Sequence, residues 1–178
     1  RAMTHAERAD AYNRTLGRRY PESCLVSGVR FVQGVWILGN NYRSASGFFG
    51  SYPPGYLPRV MSLFPDADPV TTLHVFSGSL PAGPYVRCDL RQEAELRCNV
   101  YDLPIEPNCR PFSLVLADPP YSAADAERYG TPMVNRRKAL LSLAAVTQPG
   151  GHLVWLDTVL PMFSKREWTW WGAIGLVR

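Results

Sequence analysis

Between residues 70 and 157 the chain repeats one pattern: a short apolar segment, rich in β-branched and aromatic residues, running into an acid or a glycine turn. VTTLHVF (70–76) leads into a Ser/Gly turn, PYVRCDL (84–90) reaches Asp89, LRCNVYDL (96–103) reaches Asp102, and FSLVLA (112–117) stops at Asp118. HLVWLD (152–157) is one more such segment. Short, near-continuous apolar runs read as strands buried on both faces. Separated by helices or loops, they predict an α/β domain with a mostly parallel sheet and helices on both faces. Ligands in such sheets bind beyond the carboxyl ends of the strands. Asp89, Asp102 and Asp118 all fall there, beside the turn, so one shared pocket is the expectation.

The remaining segments supply the frame. Residues 135–148 (NRRKALLSLAAVTQ) carry apolar positions at helical spacing, and Gly150-Gly151 after Pro149 is expected to stop that helix. PRVMSLF (58–64) suits a short helix with Pro58 at its first position. VRFVQGVWIL (29–38) reads as a strand, and AIGLVR (173–178) starts a last one. THAERADAYNRTLG (4–17) reads as a polar helix or an arm, with Thr4 and Glu7 forming a capping box. The aperiodic stretch NNYRSASGFFGSYPPGY (40–56) has the look of a functional loop or linker. The expected organisation is an N-terminal arm, strand and loop over 1–57, covering the cofactor and substrate side, and a core over 58–178.

Composition narrows the classes. With 178 residues, 46% of them hydrophobic and 19% charged, the chain is about one domain long and is not disordered throughout. A net charge of +4 is compatible with a polyanionic partner without requiring one. No apolar run approaches the roughly 20 residues of a membrane span, and no secretory leader pattern is present, so no membrane is expected as a partner. Cys24, Cys88, Cys98 and Cys109 match no zinc spacing. They read as free thiols, no metal site is expected, and the natural setting is a reducing cytoplasm.

Taken in order, VFSGSLPAG (75–83), the acid after the next strand, YDLP (101–104) and ADPPYS (117–122) resemble the motifs of class I methyltransferases that use S-adenosylmethionine. The tetrad Asp118-Pro119-Pro120-Tyr121 resembles the (D/N/S)PP(Y/F) motif of amino-group methyltransferases, especially the DNA adenine-N6 and cytosine-N4 enzymes. YPPGYLPRVMSLFPD (52–66) sits where those enzymes often place a cofactor-binding motif, and QPGGHLVWLD (148–157) resembles the turn and fifth strand of their fold. The similarity covers roughly residues 50 to 160. It implies a Rossmann-like class I methyltransferase fold. That fold normally ends in a two-stranded hairpin, so a closing strand is expected to be missing here or the edge to be built otherwise. It also implies methyl transfer from S-adenosylmethionine to an exocyclic amino group of a nucleic-acid base, with adenine N6 in DNA ahead of cytosine N4. The alternatives are an RNA base, a protein glutamine, or an inactive nucleic-acid-binding relative.

The same resemblance assigns roles. The Asp118 carboxylate would accept one N–H of the target amine and the Pro119 carbonyl another, with φ fixed at both Pro119 and Pro120. Tyr121 would offer a face for stacking, worth about 1–3 kcal/mol per base. A duplex base must be flipped out to reach such a corner, and most of the acceleration would come from positioning. For the cofactor, Phe76, Ser77, Gly78 and Ser79 would approach the methionine moiety, Asp89 and Leu90 the ribose, and Asp102 and Leu103 the adenine. Tyr42 and the segment around Tyr52 would line the pocket, and Asp118 would also contact the cofactor. Two positions depart from the family: His74 stands where an acid is usual, and Leu80 where a second glycine is usual. Arg18, Arg19, Arg30, Arg43, Arg136, Arg137, Lys138, Lys165 and Arg166 are candidates for phosphate contact.

Overall fold

The computed structural model describes residues 2–17, 19–28, 30–38, 52–106 and 109–177. Its helices and strands, in chain order, are α1 (His5–Tyr12), β1 (Val26–Ser27), β2 (Val32–Ile37), α2 (Tyr56–Leu63), β3 (Thr72–Val75), β4 (Val86–Cys88), β5 (Phe112–Ala117), α3 (Ala123–Arg128), α4 (Arg136–Val146), β6 (Thr147–Trp155) and β7 (Gly172–Val177). They fall into two compact units. The first is formed by the described parts of Arg1–Ala45, Tyr52–Asp66 and Thr169–Arg178, the second by those of Ala67–Trp168.

In the first unit α1 begins with the expected capping box. The Thr4 hydroxyl accepts from the Glu7 amide, and the Glu7 carboxylate accepts from the Thr4 amide. Arg8 and Tyr12, one turn apart, both point inward. Tyr12 stacks on Trp36 at 5.7 Å, and Arg8 forms a two-bonded ion pair with Asp66. Helix α2 starts two residues earlier than expected, behind Gly55 in a left-handed conformation (φ 75°). Pro58 is therefore its third residue, still within the first turn, where backbone amides have no helical partner to lose.

β2 lies between β1, which is antiparallel to it, and β7, which is parallel. The last apolar segment of the chain thus joins β2 rather than the sheet of the second unit. A Cβ added at Gly172 would stand 2.4 Å from the Val32 carbonyl oxygen, a backbone atom that cannot swing away. Gly172→Ala is expected to cost about 1–3 kcal/mol in urea unfolding and to strip hydrogen-exchange protection from the β7 amides. Parent-like stability and protection would contradict this register.

The second unit is α/β. Four parallel strands in the order β4-β3-β5-β6 are flanked by helices. Both sheet faces are covered, as the unbroken apolar strands predict. Leu73, Val75, Val115 and Ala117 on one face form a core with Ala139, Leu143 and Val146 of α4. Thr72, His74, Leu114 and Leu116, which alternate with them, are buried as well.

Two expected elements change. Residues 96–103 do not form a full strand: Leu96 makes a single parallel bridge to Cys88, and Val100–Asp102 is a 3₁₀ turn. Asn99 explains the break, because its side chain accepts from the Tyr101 amide and caps the turn. Helix α4 stops at Val146, ahead of Gly150-Gly151. Thr147 ends it by donating its amide and its hydroxyl to the Leu143 carbonyl. The glycines instead lie in an irregular part of β6, where Phe112 pairs with Thr147 but Leu114 with His152. Gly150 there has φ 77°, a backbone that other residues rarely adopt. Among the described residues no helix is long and apolar enough to cross a membrane.

Candidate functional site at the strand ends

The register of the second sheet brings three sequence motifs to one level. Val75 pairs with Cys88 on one side and with Ala117 on the other. The next residue on each strand is therefore Phe76, Asp89 and Asp118, all at the carboxyl edge. With neighbouring strands about 4.8 Å apart, Asp89 and Asp118 flank Phe76 and are separated by about 10 Å of backbone. β3 comes first in this sheet's sequence, yet it lies inside, and the chain continues to β4 on one side and to β5 on the other. Such a reversal opens a crevice at the strand ends.

The turn after β3 is strained. Phe76 has φ 56°, the one described non-glycine residue in the left-handed region, at a cost of about 1 kcal/mol. Gly78 follows with φ 53° and donates its amide to Asp89 Oδ2 at 2.9 Å. Asp89 Oδ1 accepts from the amides of Arg91 and Gln92, so this acid orders its own loop and the glycine turn together. Leu80 closes the turn through its amide to the Ser77 carbonyl, and its own carbonyl accepts from Arg87 Nη1. Arg87 in turn forks onto Glu95, whose carboxyl the guanidinium bonds hold down at about 2. The Ser77 hydroxyl is buried with no hydrogen-bond partner among the described residues.

On the other side of β3, the tetrad is a corner between β5 and α3. The Asp118 amide donates to the Val75 carbonyl, and Pro119 and Pro120 are buried. The Tyr121 hydroxyl donates to Asp118 Oδ1 at 2.6 Å. Ser122 then caps α3 by accepting from the Asp125 amide. A carboxylate offers about four acceptor positions, of which the phenol takes one.

A second acid, not singled out by the sequence reading, supports this corner. Asp157 stands just past β6 with its side chain 1% exposed. It accepts from Arg136 Nε at 2.7 Å, from Trp155 Nε1 at 3.1 Å and from the Thr158 amide at 2.7 Å. Burial alone would raise its carboxyl, but these donors more than offset that and hold it below its ordinary value. Arg136 Nη2 also donates to the Tyr121 carbonyl at 3.2 Å. Arg136 was a candidate phosphate contact; it is engaged in this network instead, because it opens α4 beside the tetrad. Lys138, another candidate, lies over the Tyr101 ring at 4.5 Å, and Arg19 lies over Tyr20 at 5.3 Å. Arg30, Arg137, Lys165 and Arg166 are exposed, while Arg18 and Arg43 lie outside the described residues.

The remaining site residues divide. Ser79 and Leu90 are exposed beside the turn and the Asp89 loop. Asp102 is exposed at the end of the 3₁₀ turn rather than at a strand end, and Leu103 packs partly buried against the core. Tyr52 stacks on Tyr56 in the first unit at 5.4 Å, and Tyr42 lies outside the described residues. His74 is buried in β3 beside the Tyr85 ring, and burial pushes its imidazole down to about 4. It is therefore neutral at physiological pH. Set against models of known families, curated proteins and solved structures, the chain matches none of them.

Proposed function

We propose that the second unit is a Rossmann-like class I methyltransferase core that moves a methyl group from S-adenosylmethionine to an exocyclic amine of a nucleic-acid base. Adenine N6 in DNA is the first substrate, and the bound base is flipped out of its duplex. The observation that carries this reading is the shared level of Phe76, Asp89 and Asp118 around the point where the strand order reverses.

The residues present fit the cofactor. A buried hydroxyl without a partner costs about 1–3 kcal/mol, and a polar ligand group beside Ser77 would relieve it. Gly78 lets a ligand approach the backbone closely. Asp89 and Leu90 would receive the ribose, Asp102 and Leu103 the adenine, and Phe76 to Ser79 the methionine end. When bound, S-adenosylmethionine supplies an electrophilic methyl on a sulfonium.

The protein's own part is placement. A base amine is a weak nucleophile because its lone pair is shared with the ring. Asp118 and the Pro119 carbonyl would accept its two N–H groups and turn the lone pair outward. The Tyr121 hydroxyl, bonded to Asp118, keeps that carboxylate from rotating. The buried prolines fix the corner, and the ring of Tyr121 would stack on the base.

The test combines calorimetric titration with S-adenosylmethionine and transfer of a tritiated methyl to duplex DNA, RNA and protein, followed by nucleoside analysis. Heat on binding and label in N6-methyldeoxyadenosine are expected. Label in an RNA nucleoside or in glutamine would move the substrate and keep the chemistry. Absence of cofactor binding would overturn the proposal and leave the inactive nucleic-acid binder, the reading that His74 and Leu80 favour.

A further inference from the structure

We propose that Arg136 and Asp157 are positioning residues for methyl transfer, a tether that fixes the tetrad from the α4 and β6 side; this rests on the function proposed above. The two prolines lock φ at residues 119 and 120 but leave ψ of Pro120 and both backbone angles of Tyr121 unfixed. Those angles determine where the Tyr121 ring and the Asp118–Tyr121 bond come to rest. Arg136 Nη2 donates to the Tyr121 carbonyl and so restrains those angles.

Arg136 can act this way because its guanidinium forks. Nε and Nη2 both reach Asp157, at 2.7 and 3.1 Å, while Nη2 also serves the Tyr121 carbonyl. Asp157 is itself anchored by the Trp155 indole and the Thr158 amide, so it does not swing with Arg136. The Trp155 ring meets Phe76 edge-on at 6.4 Å between ring centres. One buried carboxylate thereby connects the amine corner to the strained turn on the cofactor side. The pair touches neither the amine nor the methyl in this account, and it acts only through Tyr121 and Trp155.

The experiment compares the parent with Arg136→Lys, Arg136→Gln and Asp157→Asn. S-adenosylmethionine affinity, kcat for methyl transfer and amide hydrogen exchange are all measured. The tether predicts cofactor Kd values within about threefold of the parent and kcat lower by about 10²-fold. The Asp125 and Ala126 amides, both bonded to Ser122, should exchange roughly tenfold faster, while the β5 amides keep their rates. General destabilisation would accelerate β5 equally, and that result would overturn the tether. So would parent kcat and parent exchange in Arg136→Lys, since a point charge would then suffice. If the parent itself transfers no methyl, the functional proposal fails, and exchange at residues 125 and 126 still decides whether the tether exists.

Discussion

Asp118→Ala is expected to slow methyl transfer by roughly 10²–10³-fold while leaving S-adenosylmethionine affinity near that of the parent. The size follows from what the carboxylate does. It would accept an N–H in the transition state, as the amine nitrogen becomes tetrahedral and its hydrogens more acidic. It also receives the Tyr121 hydroxyl at 2.6 Å, so its loss releases the ring as well. The other proposed cofactor contacts, Phe76 to Ser79 and Asp89, lie at the ends of β3 and β4 and keep their side chains in this variant. Asp118→Asn keeps one acceptor oxygen and is expected to lose less. Single-turnover transfer of a tritiated methyl measures the rate, and calorimetry on the same samples measures the affinity. An alanine protein that transferred at the parent rate would remove Asp118 from the chemistry.

The second large effect is on stability. His74 is buried, and its folded-state imidazole is pushed down to about 4 from an ordinary value of 6.5. In the unfolded chain it takes up a proton near pH 6.5; in the folded chain it does so only near pH 4. Between those values the unfolded state binds more protons, so stability falls as pH falls. The contribution is fully present above pH 6.5, drains across the window, and is lost below pH 4. The total is about 3 kcal/mol. Carboxylates add their own acid sensitivity, Glu95 at about 2 among them, so the comparison must be differential. Urea unfolding at steps between pH 7 and 4 is expected to show a steeper loss in the parent than in His74→Leu. Parallel curves would mean that the imidazole is not buried neutral.

What was legible in the sequence is traceable to local chemistry. The three strands ending at residues 75, 88 and 117 announce themselves because short, mostly apolar runs give way to a glycine turn or an acid. Their common level was not legible, since register depends on which residues pair across strands. The strand expected at 96–103 failed because Asn99 satisfies the Tyr101 amide locally and outcompetes a ladder bond. The partner of β7 was hidden because β2, the strand it joins, lies near the other end of the sequence. A basic helix start makes Arg136 one candidate for phosphate contact, and nothing beside it in the chain announces its ion pair. The available signal was Asp157, a further acid at a strand end, two residues beyond an indole that needs an acceptor. Tertiary proximity between α4 and β6 turned that signal into an ion pair.

Titration of ¹⁵N-labelled protein with S-adenosylmethionine shows whether the strand-end crevice takes the cofactor. The largest amide shifts are expected on Phe76 to Ser79, Asp89 and Leu90, with smaller ones on Asp118 and Tyr121. At saturating cofactor, unmoved Gly78, Asp89 and Asp118 amides, or shifts clustered away from the carboxyl edge of β3, β4 and β5, would contradict it.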